Sequence, residues 1–166
     1  MILDLRDIFA GGKNINIDTR FDSIDFDVNG ENPISELCFV GTVVNRAGVV
    51  ELSGKASFIY SAPCDRCAEP VSRKFGIDIF HVIVNELSNA QDADDEIVVV
   101  ENMQLDLSEL VRSDVILNLP AKFLCKPDCK GICPGCGKRL NFEECACKPE
   151  IDPRLAVLSE FYNDEE

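Results

Sequence analysis

Long apolar runs are missing from these 166 residues. No stretch approaches the roughly 20 consecutive apolar residues that a membrane-spanning helix needs, so a helical span is excluded. The opening segment, Met1-Ile2-Leu3-Asp4-Leu5-Arg6-Asp7, has no basic stretch followed by a long apolar one. No secretory leader is therefore expected, and the cytoplasm is the default compartment. Histidine is almost absent: His81 is the single one. A Ser-His-Asp constellation has little to draw on. A phosphate-binding glycine loop and a Gly-x-Ser-x-Gly turn are also missing. Nothing motivates an enzyme, and no small-molecule substrate is evident.

Positive charge is scarce as well: 16 Lys+Arg stand against 30 Asp+Glu, a formal net charge of −14. The imbalance is uneven. Residues 1–121 hold 9 basic and 21 acidic side chains, a net of −12, whereas residues 122–154 hold 7 and 5, a net of +2. An acidic body is a poor general ligand for a phosphate backbone, which must be neutralised by cations. It suits solubility or a basic protein partner.

What the chain does have is 46% hydrophobic residues, enough for one core with a small appendage. A short apolar start, Ile2 to Phe9, breaks at Gly11-Gly12. From Ile15 to about Val84 the pattern is strand-like: Ile24 to Val28 alternates with period two, and Leu37–Val44, Val49–Tyr60 and Val71–Val84 are rich in β-branched and aromatic residues. Turn signals separate them at Asn29-Gly30, Arg46-Ala47-Gly48 and Ala62-Pro63-Cys64-Asp65. His81 falls in the last of these runs and reads as a strand histidine with its hydrogen bonds satisfied. Residues 88–96 are polar and acidic and read as a loop, with a further strand at Ile97–Val100. Asp106, followed three residues later by Glu109, resembles a helix start, and Pro120 ends the helical spacing of Leu107, Leu110, Val111 and Val115. Asp152-Pro153 opens a last short helix with an apolar stripe of Leu155, Leu158 and Phe161.

The expected fold is α+β: an antiparallel β meander or small open barrel, one packed helix near 107–118, a cysteine-rich segment resembling a zinc knuckle, and a short terminal helix. Residues 1–121 form the acidic β-rich domain and residues 122–166 the cysteine-rich tail.

The chain has nine cysteines, which in a reducing compartment point to metal ligands or redox groups rather than disulfides. Cys38 stands alone in a strand-like run and reads as a small buried apolar residue. The other eight form close pairs: Cys64-x2-Cys67, Cys125-x3-Cys129, Cys133-x2-Cys136 and Cys145-x-Cys147. Zinc takes four ligands tetrahedrally, and a two-residue gap lets one tight turn aim two thiolates at one ion. Cys133-Pro134-Gly135-Cys136-Gly137 is the strongest such signal, and Cys145 with Cys147 can complete a first structural zinc site. Cys64, Cys67, Cys125 and Cys129 make a possible second site, for one or two zinc ions in all. A rival arrangement uses Cys125, Cys129, Cys133 and Cys136 together and leaves Cys145 and Cys147 free. A thioredoxin-like role for Cys64 and Cys67 needs a helix N-terminus, where this context is strand and turn, and Asp65 would oppose a thiolate. Lys126, Lys130, Lys138 and Arg139 are interleaved with the cysteines. They either balance the charge of thiolate-bound zinc or contact a partner. Only Phe123 and Phe142 accompany them as aromatics, weak support for a base-stacking platform.

Four stretches together resemble the bacterial YceD family, associated with accumulation of large-subunit ribosomal RNA: Pro63-Cys64-Asp65-Arg66-Cys67 through Val71, Leu105 through Pro120, Cys125 through Gly137, and Ile151-Asp152-Pro153-Arg154-Leu155-Ala156. The resemblance implies a non-enzymatic factor in 23S ribosomal RNA synthesis, processing or stability, from a zinc-bearing branch of that family. Its expected partner is ribosomal RNA or a basic protein of the large subunit. A thiol redox or metal-handling protein is the alternative.

Overall fold

The computed structural model describes residues 1–12, 14–21, 26, 32–85 and 97–147. They divide into two compact units: Met1–Ala62 with Val71–Ala121, and Pro63–Pro70 with the chain from Lys122 onward.

The first unit is built on a five-stranded sheet in the order β2-β3-β4-β5-β6, with β2 at Ile15–Phe21, β3 at Ile34–Arg46, β4 at Val49–Pro63, β5 at Pro70–Val84 and β6 at Ile97–Val99. Neighbours in sequence are neighbours in space, as in a meander, and the sheet stays open. β3 and β4 pair antiparallel from Ile34↔Tyr60 to Arg46↔Val49. Their turn is tight because Ala47 and Gly48 both take positive φ, at 54° and 94°, the backbone twist that short hairpin turns need. The Asn45 side chain accepts from the Gly48 N–H at 2.9 Å. β6 runs parallel to β5, with Val82↔Ile97 and Val84↔Val99. A second small sheet pairs β1 (Ile2–Asp4) with β7 (Gln104–Asp106) antiparallel. A single helical turn, α1 (Arg6–Phe9), follows β1.

Helix α2 covers Leu107–Leu117. Asp106 caps it, accepting from the N–H groups of Ser108 at 3.0 Å and Glu109 at 3.4 Å. The helix stops short of Pro120, because a residue before proline avoids helical backbone. Leu107, Val111 and Val115, one helical turn apart, are fully buried. They join Phe39, Leu52, Phe58 and Ile83 from the alternating inward positions of β3, β4 and β5 in one apolar cluster. Gly41 and Gly54 face each other across β3 and β4. A Cβ on Gly54 would lie 2.4 Å from the Phe39 ring, so the glycine pair makes the space that ring fills.

His81 on β5 is buried, and its Nε2 lies 2.9 Å from the Asp114 carboxylate on α2. Its Nδ1 has no partner among the described residues, so the expected full satisfaction is met at one nitrogen only. Cys38 on β3 is half-buried rather than buried, because it alternates with the inward-pointing Leu37 and Phe39 and so lies on the other face of the sheet. The strand expected at Ile24–Val28, the turn at Asn29-Gly30, the loop at 88–96 and the terminal helix after Asp152 lie outside the described residues, apart from Phe26. No helix among the described residues is long and apolar enough to cross a membrane.

Candidate metal centre

The second unit holds eight of the nine cysteines, and its described chain has almost no hydrocarbon interior. Its buried apolar side chains are Phe123 and the cysteines Cys64, Cys67, Cys129 and Cys133. Sulfur takes the place of a core.

Two turns of the same construction present two of the pairs. In the connection between β4 and β5, the Cys64 N–H donates to the Glu69 carbonyl at 2.8 Å and the Ala68 N–H donates to the Cys64 carbonyl at 2.8 Å. In the tail, the Cys133 N–H donates to the Lys138 carbonyl and the Gly137 N–H to the Cys133 carbonyl, both at 2.9 Å. Each turn reverses through a left-handed residue one place after its second cysteine: Ala68 at φ 55° and Gly137 at φ 72°. The Cys-x2-Cys spacing is thus folded identically in both places, with the two thiols on the inside of the turn.

The sulfurs meet in two groups of four. Cys64, Cys67, Cys125 and Cys129 form one and Cys133, Cys136, Cys145 and Cys147 the other, each with all sulfurs within 4.8 Å of one another. The alternative set, Cys125, Cys129, Cys133 and Cys136, is not brought together. No cysteine is in a disulfide. In the first group Cys64 and Cys129 lie 3.8 Å apart, and Cys67 and Cys125 3.6 Å apart. A tetrahedron with Zn–S bonds of about 2.3 Å has edges of about 3.8 Å. The second group is tighter, at 3.4 Å between Cys136 and Cys145 and 3.2 Å between Cys133 and Cys145. The groups also differ in exposure. Three of the first four are buried and Cys125 is half-buried, whereas Cys136 and Cys147 of the second are exposed.

Electrostatics sets the thiols of each group apart. At Cys64 burial is the largest influence and opposes ionisation, but N–H groups of Cys125, Arg66 and Cys67 outweigh it and bring the thiol down to about 6. The N–H of Cys136, then the Cys145 thiol and the N–H of Gly135, bring Cys133 down to about 6. Burial, and then the neighbouring thiols of Cys129, Cys67 and Cys64, push Cys125 up to about 12. The thiols of Cys145 and Cys136 push Cys147 up to about 12. Four anions this close repel one another, and a divalent cation is what lets all four ionise together. An all-thiolate, four-fold donor set selects soft ions such as zinc over magnesium or calcium. The residues present therefore fit one such ion in each group, and neither set leaves an open position.

Two neighbouring side chains, Arg66 and Asn141, escaped sequence reasoning, and a third, Asp65, has a partner the sequence did not suggest. Arg66 donates from Nη1 to the Cys129 carbonyl at 2.7 Å. Asp65 accepts from the Phe123 N–H at 2.5 Å, while its own N–H donates to the Phe123 carbonyl at 2.9 Å. Asn141 donates to Cys129 Sγ at 3.1 Å. Only the rule that ligating sulfurs need outer partners could have raised such residues as a class. Lys126, Lys130, Lys138 and Arg139 are all exposed, with Lys138 Nζ 3.8 Å from Glu143. Of the two aromatics, Phe123 is buried and Phe142 is 67% exposed.

The family model described as "Large ribosomal RNA subunit accumulation protein YceD" matches residues 52–162, a span that includes all eight paired cysteines. An uncharacterized protein of Mycobacterium tuberculosis is 32% identical over 104 residues, covering 61% of this chain and 50% of the relative. The "Large ribosomal RNA subunit accumulation protein YCED homolog 1, chloroplastic" of Zea mays is 26% identical over 162 residues, covering 80% of this chain and 55% of the relative. The uncharacterized protein YlbN of Bacillus subtilis is 25% identical over 159 residues, covering 87% of this chain and 91% of the relative. The chain thus spans about half the length of the mycobacterial and maize relatives it matches. No solved structure matches.

Proposed function

This chain belongs to the YceD family, and on that premise we propose that it is a non-enzymatic cytoplasmic factor supporting 23S ribosomal RNA accumulation and large-subunit biogenesis. It acts as an adaptor in two parts, an acidic β-rich domain (1–121) and a cysteine-rich tail (122–166) stabilised by zinc at Cys133, Cys136, Cys145 and Cys147 and at Cys64, Cys67, Cys125 and Cys129. The observation that carries this reading is the family match extending through both four-cysteine groups.

Charge favours a basic ribosomal protein over RNA as the direct partner. Residues 1–121 carry −12. In 122–147, Lys122, Lys126, Lys130, Lys138 and Arg139 face Asp128, Glu143 and Glu144, a net of +2. Zinc with four thiolates is formally −2, so two such sites cancel that surplus and more. Lys126, Lys130, Lys138 and Arg139 then offset the metal centres while offering exposed contacts at the partner surface.

Depleting the protein and measuring 23S precursor and mature RNA tests the function. Accumulated precursor and fewer large subunits are expected, and unchanged RNA with normal ribosome profiles would sink it. Native mass spectrometry tests the metal reading, with two zinc ions per chain expected. Rapidly reacting thiols at Cys64 and Cys67 in a metal-loaded sample would favour a redox or metal-handling protein instead.

A further inference from the structure

Asn141 lies in the chain between Cys136 and Cys145, inside the loop that the second cysteine group closes. Its side chain points at the first group. The Lys130 N–H donates to Asn141 Oδ1 at 2.9 Å, which fixes the amide so that Nδ2 faces the sulfurs. Nδ2 then lies 3.1 Å from Cys129 Sγ and 3.7 Å from Cys125 Sγ. A primary amide has two N–H donors, one for each of these sulfurs. The backbone fixes the loop at this point, with the Leu140 N–H donating to the Gly131 carbonyl at 2.9 Å and the N–H groups of Phe142 and Glu143 both donating to the Arg139 carbonyl at 3.0 Å. Beyond Glu143, Cys145 and Cys147 are what tie the loop back to Cys133 and Cys136.

Resting on the zinc reading above, we propose that Asn141 is a positioning residue that couples the two metal centres, so that an ion at Cys133, Cys136, Cys145 and Cys147 tightens binding at Cys64, Cys67, Cys125 and Cys129. The physical link is short. Filling the second centre ties down the far end of the loop, beyond Glu143, and so holds in place the two N–H donors that Lys130 and the backbone aim at thiolates of the first. Those donors disperse charge on sulfurs that are otherwise buried or half-buried. Linkage makes the effect reciprocal: filling the first centre tightens the second by the same factor. Outer-shell donors of this kind are worth about 10- to 100-fold in metal affinity, which sets the expected size.

The full chain, loaded with zinc and challenged with a chelator of graded strength, is followed by native mass spectrometry that counts ions per chain. Cys136→Ser with Cys147→Ser leaves the first centre alone, and its affinity is expected to fall at least tenfold below that centre's affinity in the intact chain. Asn141→Asp keeps the acceptor for the Lys130 N–H and removes both donors. Asn141→Ala removes them without adding charge. Both are expected to weaken the first centre at least tenfold, and in either background loss of the second centre no longer matters to the first. Two ions held as tightly by Asn141→Asp and Asn141→Ala as by the unaltered chain would overturn the coupling while leaving the zinc reading intact. An unaltered chain that holds no ion would overturn the zinc reading itself, and the coupling with it.

Discussion

Ala68 and Gly137 occupy the same place in two equivalent turns, yet one has a Cβ and the other does not. A left-handed conformation costs an L-residue roughly 1–2 kcal/mol, whereas glycine adopts it freely. Nothing lies within 4 Å of a Cβ built on Gly137, so substitution there is a purely conformational change. Gly137→Ala is expected to destabilise the second unit by about 1 kcal/mol, and Ala68→Gly to stabilise it by up to about 1 kcal/mol, since glycine's extra freedom in the unfolded chain returns part of the gain. Denaturant titration of the metal-loaded protein reads both, and equal signs would contradict the shared geometry. At Asp114, replacement by Ala leaves the buried His81 without its one partner among the described residues. A loss of about 1–3 kcal/mol is expected, again from denaturant midpoints, with no loss of metal. The pairing of cysteines by spacing was legible at this scale because two thiols two residues apart are a local matter. Asn141 and Arg66 were not legible, since a donor to sulfur has no spacing rule and is recognised only when distant segments meet.

The strands were legible where each alternates or is rich in β-branched residues between turns. β3, β4 and β5 extend only a few residues beyond the expected Leu37–Val44, Val49–Tyr60 and Val71–Val84. The capped helix was equally plain, because its Asp106 and its apolar spacing act within one element. The β1–β7 pairing was not, because it joins three-residue strands about 100 residues apart that are too short to show a period, and the direction in which β6 docks on β5 was not, because a run of apolar residues does not say whether it pairs parallel or antiparallel. Asp106→Ala should cost about 1 kcal/mol through loss of the cap, seen as a lower thermal midpoint. Gly54→Ala should cost more, about 1–3 kcal/mol, because the added methyl meets the Phe39 ring and the Val40 carbonyl, neither of which can withdraw from a packed sheet. A glycine inside a strand reads from sequence as a weakness. Here it is the vacancy into which an aromatic ring packs.

For the molecule as a whole, the two units rest on different forces. The first has a continuous apolar cluster. Among its described residues the second has Phe123 and sulfur, far too little hydrocarbon to offset the entropy of ordering that stretch of chain. Removing metal with a chelator is therefore expected to abolish hydrogen-exchange protection across 64–69 and 123–147 while β3 and β4 keep theirs. Loss of protection in all strands at once would show the units to be one cooperative system. Composition announced this division of labour only in part: the cysteine clustering was visible, but that residues 63–70 belong with the tail depends on chain separated by some 60 residues, as the 65- and 58-residue spacings of Cys64 from Cys129 and Cys67 from Cys125 show. That spacing has a consequence during synthesis. At about 5–20 residues per second, the ribosome takes roughly 3–13 s to go from Cys64 to Cys129. For that interval Cys64 and Cys67 have left the peptidyl-transferase centre with no mates to meet. The second turn, at Cys133 and Cys136, waits only for Cys147, roughly 0.7–3 s at the same rates. Of the paired thiols, Cys64 and Cys67 thus wait longest for their mates, and a nascent chain stalled between the two halves of the first group would carry a naked dithiol open to oxidants.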